Sequence, residues 1–555
     1  MLKGLCLKTL FCLVFLMAIA KTTVLAQAPT IVSTSPTQNE LNVPINNNIS
    51  VTFDTDMDET TIDDSSFVVN GMLTGKRIGT ITYDSLARTA VFDPHEIFKV
   101  GEVVYVVLTS GVRSSLGIPL DRGYAWSFTT RVVCGSGIYS LDSIYSYETH
   151  SGFGSDLDGD GDIDLATVSS GDRISVFVNN GDATFAPPFE YQVGDGPHAL
   201  FAADLDGDHD IDLVTQNWND DSISVLFNNG DGFFASPITY PGGHTCHSIF
   251  AVDLDNDGDI DIATANRYSN DVHILLNDGT GGFAAPSSFY GGGIWPMDIY
   301  SADFDNDWDF DLTTVTGSGN PSVDDRAVIL WNDGTASFDD RLYNPIAKYP
   351  NYNFAADFNG DNYVDIVTTS GTLPGSLCVI INNGDGTFLP RSVYLSSYDY
   401  VHSCGVHAAD LDGDGDVDLV NGIVSYTDGL SIHLNNGDGT FAPQTIYSFP
   451  GGDGIVTADF DCDGDLDLVL TGFNIGFSSV RVLLNQGGHR RGDANGDGVI
   501  DLGDVLHLIN YLYKGGPAPD PLGTGDVNCD EVIDLGDVLH LINYLYKAGP
   551  PPNCC

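Results

Sequence analysis

"DLDGDGDIDLATV" (156–168) places Asp at alternate positions around two glycines and then runs into an apolar stretch that alternates like a β-strand. "DANGDGVIDLGDV" (493–505) repeats almost the same acidic loop but runs into "LHLINYLY", whose apolar spacing is helical. One loop on two frames decides how the chain divides. Where the strand follows, the spacing predicts a β-repeat. Where the helix follows, it predicts a small loop–helix unit.

The strand version recurs. It begins at Asp156, Asp204, Asp253, Asp303, Asp357, Asp410 and Asp459, with gaps of 48, 49, 50, 54, 53 and 49 residues. Each loop is followed by a second signature, from "ISVFVNNGDATFAPP" (174–188) to "VRVLLNQGG" (480–488). "NNGD" supplies the left-handed positions of a tight hairpin. Four short strands in about 50 residues is the arithmetic of a propeller blade, and seven repeats predict seven blades. The seventh repeat stops after its third strand, while "IYSLDSIYSYETH" (138–150) precedes the first without a place of its own. That segment is expected to supply the outer strand of the last blade, closing the ring and removing open sheet edges.

At 555 residues the chain is too long for one core. Its start, with Lys3 and Lys8 before "TLFCLVFLMAIA" (9–20) and "VLA" (24–26), reads as a secretory signal over residues 1–26. No other stretch reaches the ~18 apolar residues of a membrane span, so an exported, soluble chain without a transmembrane segment is expected. Residues 27–131 alternate in short runs such as "ISVTF" (49–53) and "VVYVVLT" (103–109), an all-β sandwich by pattern. Residues 132–488 form the propeller, and 489–555 the helical tail. The net charge is −56, from 77 acidic and 21 basic residues. Such a surface argues against nucleic acid and anionic membranes as partners. Only seven acids are Glu. Asp dominance points to tight turns and metal loops rather than solvated helices.

The loops have the spacing of calcium cages: hard oxygens at positions 1, 3, 5, 7 (a backbone carbonyl) and 9, packed closely enough that only a cation relieves their repulsion. In blade one these are Asp156, Asp158, Asp160, Asp162 and Asp164, and in blade two Asp204, Asp206, Asp208, Asp210 and Asp212. Blade three has Asp253, Asp255, Asp257, Asp259 and Asp261; blade four has Asp303, Asp305, Asp307, Asp309 and Asp311. Blade five has Asp357, Asn359, Asp361, Tyr363 and Asp365; blade six has Asp410, Asp412, Asp414, Asp416 and Asp418. Blade seven has Asp459, Asp461, Asp463, Asp465 and Asp467. No acid stands at position 12, which in blade one is Thr167, so position 9 must close the cage.

The tail loops use the full twelve-residue scheme. The first takes Asp493, Asn495, Asp497, the Val499 carbonyl, Asp501 and Asp504. The second takes Asp526, Asn528, Asp530, the Val532 carbonyl, Asp534 and Asp537. Glu531 replaces the sharp-turn glycine that Gly498 supplies in the first loop. Up to nine Ca²⁺ ions follow. Position 6 departs from glycine at His209, Trp308 and Asn362, and blades four and five are expected to bind calcium most weakly.

Three resemblances rest on these residues. The loops with their "NNGDGTF" hairpins resemble the FG-GAP/VCBS family, the calcium-loop propellers of integrin α subunits and of many secreted bacterial proteins. "VPINNNISVTFDTDMDETTI" (43–62), "VFDP" (91–94), "YVVLTSGVRSSLGIPL" (105–120) and "WSFTT" (126–130) resemble the bacterial Ig-like domain of S-layer and other surface proteins, which implies a spacer or attachment role. The duplicated "GDANGDGVIDLGDVLHLINYLYKGGP" and "GDVNCDEVIDLGDVLHLINYLYKAGP" resemble a type I dockerin, which implies docking to a cohesin on a scaffold or surface protein. Val505 and Leu508, with Val538 and Leu541, are expected to face inward. Leu502, Gly503, His507, Lys514, Leu535, Gly536, His540 and Lys547 are the contact candidates.

Weaker signals remain. His150, His198 and His247 each lie six residues before their loop's first Asp, at the mouth opposite the loops; Trp295, Tyr352 and Tyr400 precede equivalent strands. They read as repeat consensus, each His hydrogen-bonded at a strand entry, rather than as a ligand ring. Cys134 and Cys462 fall near the loop face of the closing blade and are expected as free thiols rather than a pair. Cys529 with Cys554 or Cys555 can pin the end of the tail. Cys246, Cys378 and Cys404 read as small core residues. A glycosidase needs two placed carboxylates. The propeller's only Glu residues, Glu148 and Glu190, sit on outer strands, and no G-x-S-x-G, HExxH or P-loop is present. The expected function is therefore a secreted, non-catalytic, calcium-binding adhesion or ligand-binding protein. It would recognise a glycan or surface protein through the propeller and be attached through its dockerin. The rivals are a carbohydrate-active enzyme and a structural spacer.

Overall fold

The computed structural model describes residues 27–547 apart from 133–134, 148, 170, 318–324, 372–373, 397–401, 425–428, 449–451, 453, 475–476, 487–491, 493, 496–499, 520–521 and 529–531. The signal segment and the terminal cysteines therefore lie outside the described residues, as do Glu148, Tyr400, Cys134 and Cys529. Among the described residues no helix is long and apolar enough to cross a membrane.

The alternation over 27–131 folds as a sandwich. One sheet orders Ile31–Ser35, Ile49–Phe53, Thr89–Pro94 and Gly79–Asp84. The other orders Glu40–Val43, Tyr124–Thr130, Val103–Leu108, Phe67–Gly71 and Gly75–Lys76. Inward residues such as Val51, Phe53, Phe92, Val106 and Trp126 fill the space between them.

Seven four-stranded antiparallel sheets follow. In blade one they are Gly152–Ser155, Asp164–Ser169, Arg173–Phe177 and Phe189–Gln192, paired in chain order. The innermost strands of successive sheets touch one another around a closed circuit, the first meeting the seventh. The expected closure is present. Tyr139–Tyr145 pairs with Phe477–Asn485, so the segment ahead of blade one is the outer strand of blade seven. Strands two and three bury both faces, because each blade is covered by its neighbours; outer strands such as Phe189–Gln192 are mostly exposed.

Position −3 of each loop points at the axis. Phe153, Phe201, Phe250, Tyr300, Phe354 and His407 meet in series, with ring centroids 4.5 to 4.8 Å apart. Tilted contacts at this spacing are favourable for aromatic rings. Blade seven places Val456 there.

The tail forms two helices, α1 (Leu502–Lys514) and α2 (Leu535–Lys547). Val505, Leu508, Val538 and Leu541 are buried between them, as the 3.6-residue period requires. Gly515 ends α1 in the left-handed conformation, at φ 68°.

Candidate metal centres and the open propeller face

Each propeller loop is wound around its first carboxylate. In all seven, the position-6 N–H donates to Oδ2 of position 1, at 2.7 to 3.2 Å. This bond forces position 6 to positive φ. Glycine takes that at no steric cost, yet His209 (79°), Trp308 (75°) and Asn362 (66°) adopt it too. Position 4 is equally left-handed, including Asn256, Asn306 and Cys462.

Position 9 closes the loop. Oδ2 of Asp164 accepts the position-2 N–H, from Leu157, at 3.0 Å, and Oδ1 accepts the N–H of Asn179 in the hairpin at 2.8 Å. The same two bonds recur at Asp212, Asp261, Asp311, Asp365, Asp418 and Asp467. These carboxylates are at most 1% exposed. Burial pushes Asp164, Asp212, Asp365 and Asp418 up to about 8, and Asp261, Asp311 and Asp467 well above the usual carboxylate range.

Positions 1, 3 and 9 offer oxygens within 4.8 Å of one another in blades one, two, three, four and six. Oδ1 of Asp255 and Oδ1 of Asp307 are buried without a hydrogen-bond partner, at positions 3 and 5. Orphaned buried carboxylate oxygens inside a ring of carboxylates fit a divalent cation. Positions 1, 3, 5 and 9 would hold it through side chains and position 7 through its carbonyl; the ion would supply the charge that lets the acids stay ionised. In blade five, Asn359 donates its amide to Asp361 at 2.9 Å, so a donor stands where the other loops carry a carboxylate.

A role of the "NNGD" hairpin escaped the sequence reading. The amide of its first Asn donates to the position-2 carbonyl of the preceding blade. Asn228 reaches Leu157, Asn277 reaches Leu205, Asn332 reaches Leu254, Asn382 reaches Phe304, Asn435 reaches Phe358 and Asn485 reaches Leu411. Asn179 reaches Phe460, which closes the circuit; all seven bonds are 2.7 to 2.8 Å. The invariance of this Asn among the repeats was the available signal, and the turn accounted for it too readily.

In the tail, Asp493, Asp497, Val499 and Asp530 lie outside the described residues. Asp501 caps α1 by accepting the Gly503 N–H, and Asp504 completes a capping box. Asp504 also accepts the Asn495 N–H at 3.0 Å; Asp537 accepts from Val527, Asn528 and Asp534. Asn528, Val532 and Asp526 sit in the same loop. Asp504 and Asp537 are fully buried.

Family profiles match a bacterial Ig-like domain over residues 26–130 and a dockerin type I domain over 491–546. An FG-GAP-like repeat matches 156–215, 204–264, 253–314, 357–421 and 423–470. This is an Ig-like, FG-GAP-repeat, type I dockerin protein. No curated protein matches it. Among solved structures it is similar to a lectin of Agrocybe aegerita described with non-reducing terminal N-acetylglucosamine. Identity is 20%, over 78% of this chain and 98% of that one, with a TM-score of 0.43. It is also similar to BBS1N in complex with ARL6DN, at 12% identity over 64% and 98%, with a TM-score of 0.44. The dockerin implies binding to a cohesin and attachment to a cohesin-bearing scaffold, the setting in which dockerin proteins are typically extracellular.

On the FG-GAP face opposite the loops, His198 bonds to the backbone of His247 and His247 to that of Met297, strand-entry bonds as expected. The rings also meet one another, which was not expected. His150 stacks on His198 at 5.9 Å, His198 meets His247 at 4.8 Å, and Trp218 contacts both of the latter. Burial holds His198 down at about 4, and His247 well below the usual imidazole range. His247 Nδ1 is buried without a hydrogen-bond partner. Beside them the Arg267 guanidinium lies 5.7 Å from each of the Trp218, Tyr268 and Trp295 rings. Tyr268 is 52% and Trp295 37% exposed. Trp218, Arg267 and Tyr268 follow strand two, whereas the offset shared by the histidines marks only the entry to strand one. Tyr352 stays at its strand entry, where its N–H donates to Thr369 Oγ1 at 3.1 Å.

A second correction concerns cysteine. Cys462, expected as a free thiol, is disulfide-bonded. Cys246 and Cys378 are free and buried, as expected of core residues. Glu190 is exposed and pairs with Arg173 at 2.7 Å. Asp298, also missed, is half-buried beside the axis, where it accepts from Ser248 and from the Asn353 N–H; desolvation pushes it up to about 6.

Proposed function

We propose that this protein is an exported, non-catalytic, calcium-stabilised binding protein. The open face of its propeller takes a glycan or a surface protein, and its dockerin holds it to a cohesin-bearing scaffold. The observation that supports this reading is the cluster of His198, His247, Trp218, Arg267, Tyr268 and Trp295. Exposed rings give flat apolar area for a sugar or an aliphatic side chain, and a guanidinium held among them gives directed donors. A hydrolytic reading lacks comparable support. Glu190 is tied to Arg173, and Asp298 is one carboxyl where acid–base hydrolysis of a glycoside needs two.

The test is a glycan array probed with the full chain in calcium, with a reducing-sugar assay on every hit. Binding that is lost in Arg267→Ala and Trp295→Ala, with an unchanged melting curve and no sugar release, supports the proposal. Release of reducing sugar makes the protein an enzyme. Absence of any glycan or surface-protein ligand leaves it a spacer.

A further inference from the structure

The Ig-like domain rests on the calcium-loop face, and it meets all seven loops. In blade one the Leu73 carbonyl accepts the Asp156 N–H at 3.1 Å, and Lys99 donates to the Gly161 carbonyl. In blade two His209 Nδ1 lies 3.4 Å from the Lys76 carbonyl. In blade three Gly258 packs beneath Val68 and Thr109. Asn39 donates to the Asn362 carbonyl of blade five at 3.2 Å, and Asn42 to the Gly415 carbonyl of blade six at 2.8 Å. Val100 and Val132 pack on Leu466 of blade seven.

Most of these contacts fall on position 6, the residue that the position-1 carboxylate bends to positive φ. Blade four carries the densest set. Trp308 makes edge contacts with Tyr124 and Trp126, at 6.2 and 6.1 Å, and its carbonyl accepts the Ala125 N–H at 2.9 Å. Arg122 bonds Asp309 Oδ2 at 3.2 Å and also reaches the Asp307 carbonyl, while Gln38 donates to Asp303.

We propose that the loop face is a docking platform for the Ig-like domain, locked at blade four by Trp308 and Arg122 and held in shape by calcium in the loops. The position-6 departures then have a cause other than weakened ion binding. A tryptophan at φ 75° is disfavoured in isolation, and here its ring is clamped by the partner domain. Arg122 pairs with Asp309, the position-7 acid whose side chain is not a ligand, at 3.2 Å, and lies 3.6 Å from the carboxylate of Asp307 at position 5. Without calcium the acids of each loop repel one another, the position-6 residues lose their common level, and the platform is lost. A domain pair rigid in calcium and loose without it would set how far the propeller stands from whatever the Ig-like domain contacts.

The test uses the full chain, read by small-angle scattering and by limited proteolysis of the 131–138 connection. In calcium, Trp308→Gly with Arg122→Ala should release the Ig-like domain: the molecule lengthens, and the connection is cut about tenfold faster. The bound calcium, counted by atomic emission after desalting, should not fall, because the variant takes a competing cation away from Asp307. Glycine already occupies position 6 in four other loops, so the propeller should fold. EGTA, at a temperature where far-ultraviolet circular dichroism is retained, should release the domain in the unaltered chain. A double variant that stays compact with unchanged cleavage overturns the lock. A chain that stays docked in EGTA with its propeller intact overturns calcium control. If EGTA unfolds the propeller at every temperature, a calcium titration of the connection's cleavage rate decides: cleavage that slows only as the propeller folds overturns the separate docking step.

Discussion

The propeller loops and the tail loops share one ligand spacing and differ in which acid closes them. In blade one the closing acid is position 9: Asp164 is fully buried and binds two backbone N–H groups, Leu157 and Asn179, on different turns. In the tail, position 9 is Asp501, an N-cap, and the buried acid is Asp504 at position 12, which binds Asn495 and Asp501. A strand leaves the loop at once, so only position 9 is near enough to return to it. A helix turns back over the loop, so a residue one turn further on can reach it. The lesson is that a metal loop does not define its fold; its closing carboxylate is placed by the element that follows.

Calcium removal is the broadest way to break this comparison. A ligand that binds only the folded state contributes about 2.7 kcal/mol per site at a hundredfold excess over Kd. EGTA should lower the melting temperature of the full chain by tens of degrees and abolish the helicity of the tail, as followed by calorimetry and circular dichroism. An unchanged curve would mean that the cages close without ions.

The closing acids should come next. Asp418→Ala leaves the N–H groups of Leu411 and Asn435 buried and unpaired, a loss of about 2–6 kcal/mol at roughly 1–3 per orphaned group. Asp504→Ala should unfold the first tail loop by the same reasoning, whereas Asp501→Ala should be the milder change there. If chemical denaturation ranks Asp501→Ala above Asp504→Ala, the assignment of closing roles is wrong.

Acidity gives a smaller effect of defined sign. Burial pushes Asp164, Asp212, Asp365 and Asp418 up to about 8 in the folded chain without an ion, against about 3.9 when unfolded. The folded state therefore binds more protons between those values, and its stability falls as pH rises through that window. In EGTA the melting temperature should be higher at pH 5 than at pH 8. In saturating calcium the order should reverse, because protons compete with the ion for the same carboxylates. The same order in both buffers would show that these acids do not face the ion.

The mildest change is Asn435→Leu, which removes one latch. It takes the amide donor from the Phe358 and Val417 carbonyls and the acceptor from the Gly437 N–H, and the inter-blade bond to Phe358 should account for about 1–3 kcal/mol of the loss. An equal loss on substituting the exposed Asn436 would show that the turn, not the latch, needs asparagine.

Seven blades, the outer strand of the last one, the grouping of the position 1, 3 and 9 acids in five loops and the inward face of α1 and α2 were legible in the sequence. Each is a local pattern, with ligands two residues apart, strands of period two and helices of period 3.6, so short-range geometry sufficed. The histidine cluster was half legible. Its strand-one members have a fixed offset from the loops, but Trp218 and Arg267 stand in the turns after strand two and join only when neighbouring blades pack.

What the tertiary structure alone decided is everything that crosses between units. The Asn latches join residues 71 to 78 apart in six blades and 281 apart at the closure. Their acceptor is a backbone carbonyl, which every residue carries and no sequence pattern marks. The Cys462 disulfide and the contacts of Arg122, Gln38 and Trp308 are of the same kind. Their residues were visible as oddities, such as a tryptophan in a glycine position, but their partners are set by how the ring closes and which face the Ig-like domain covers. Local spacing determined the parts. Their joints depend on long-range packing, where any carbonyl or carboxylate of the right height can serve as the partner.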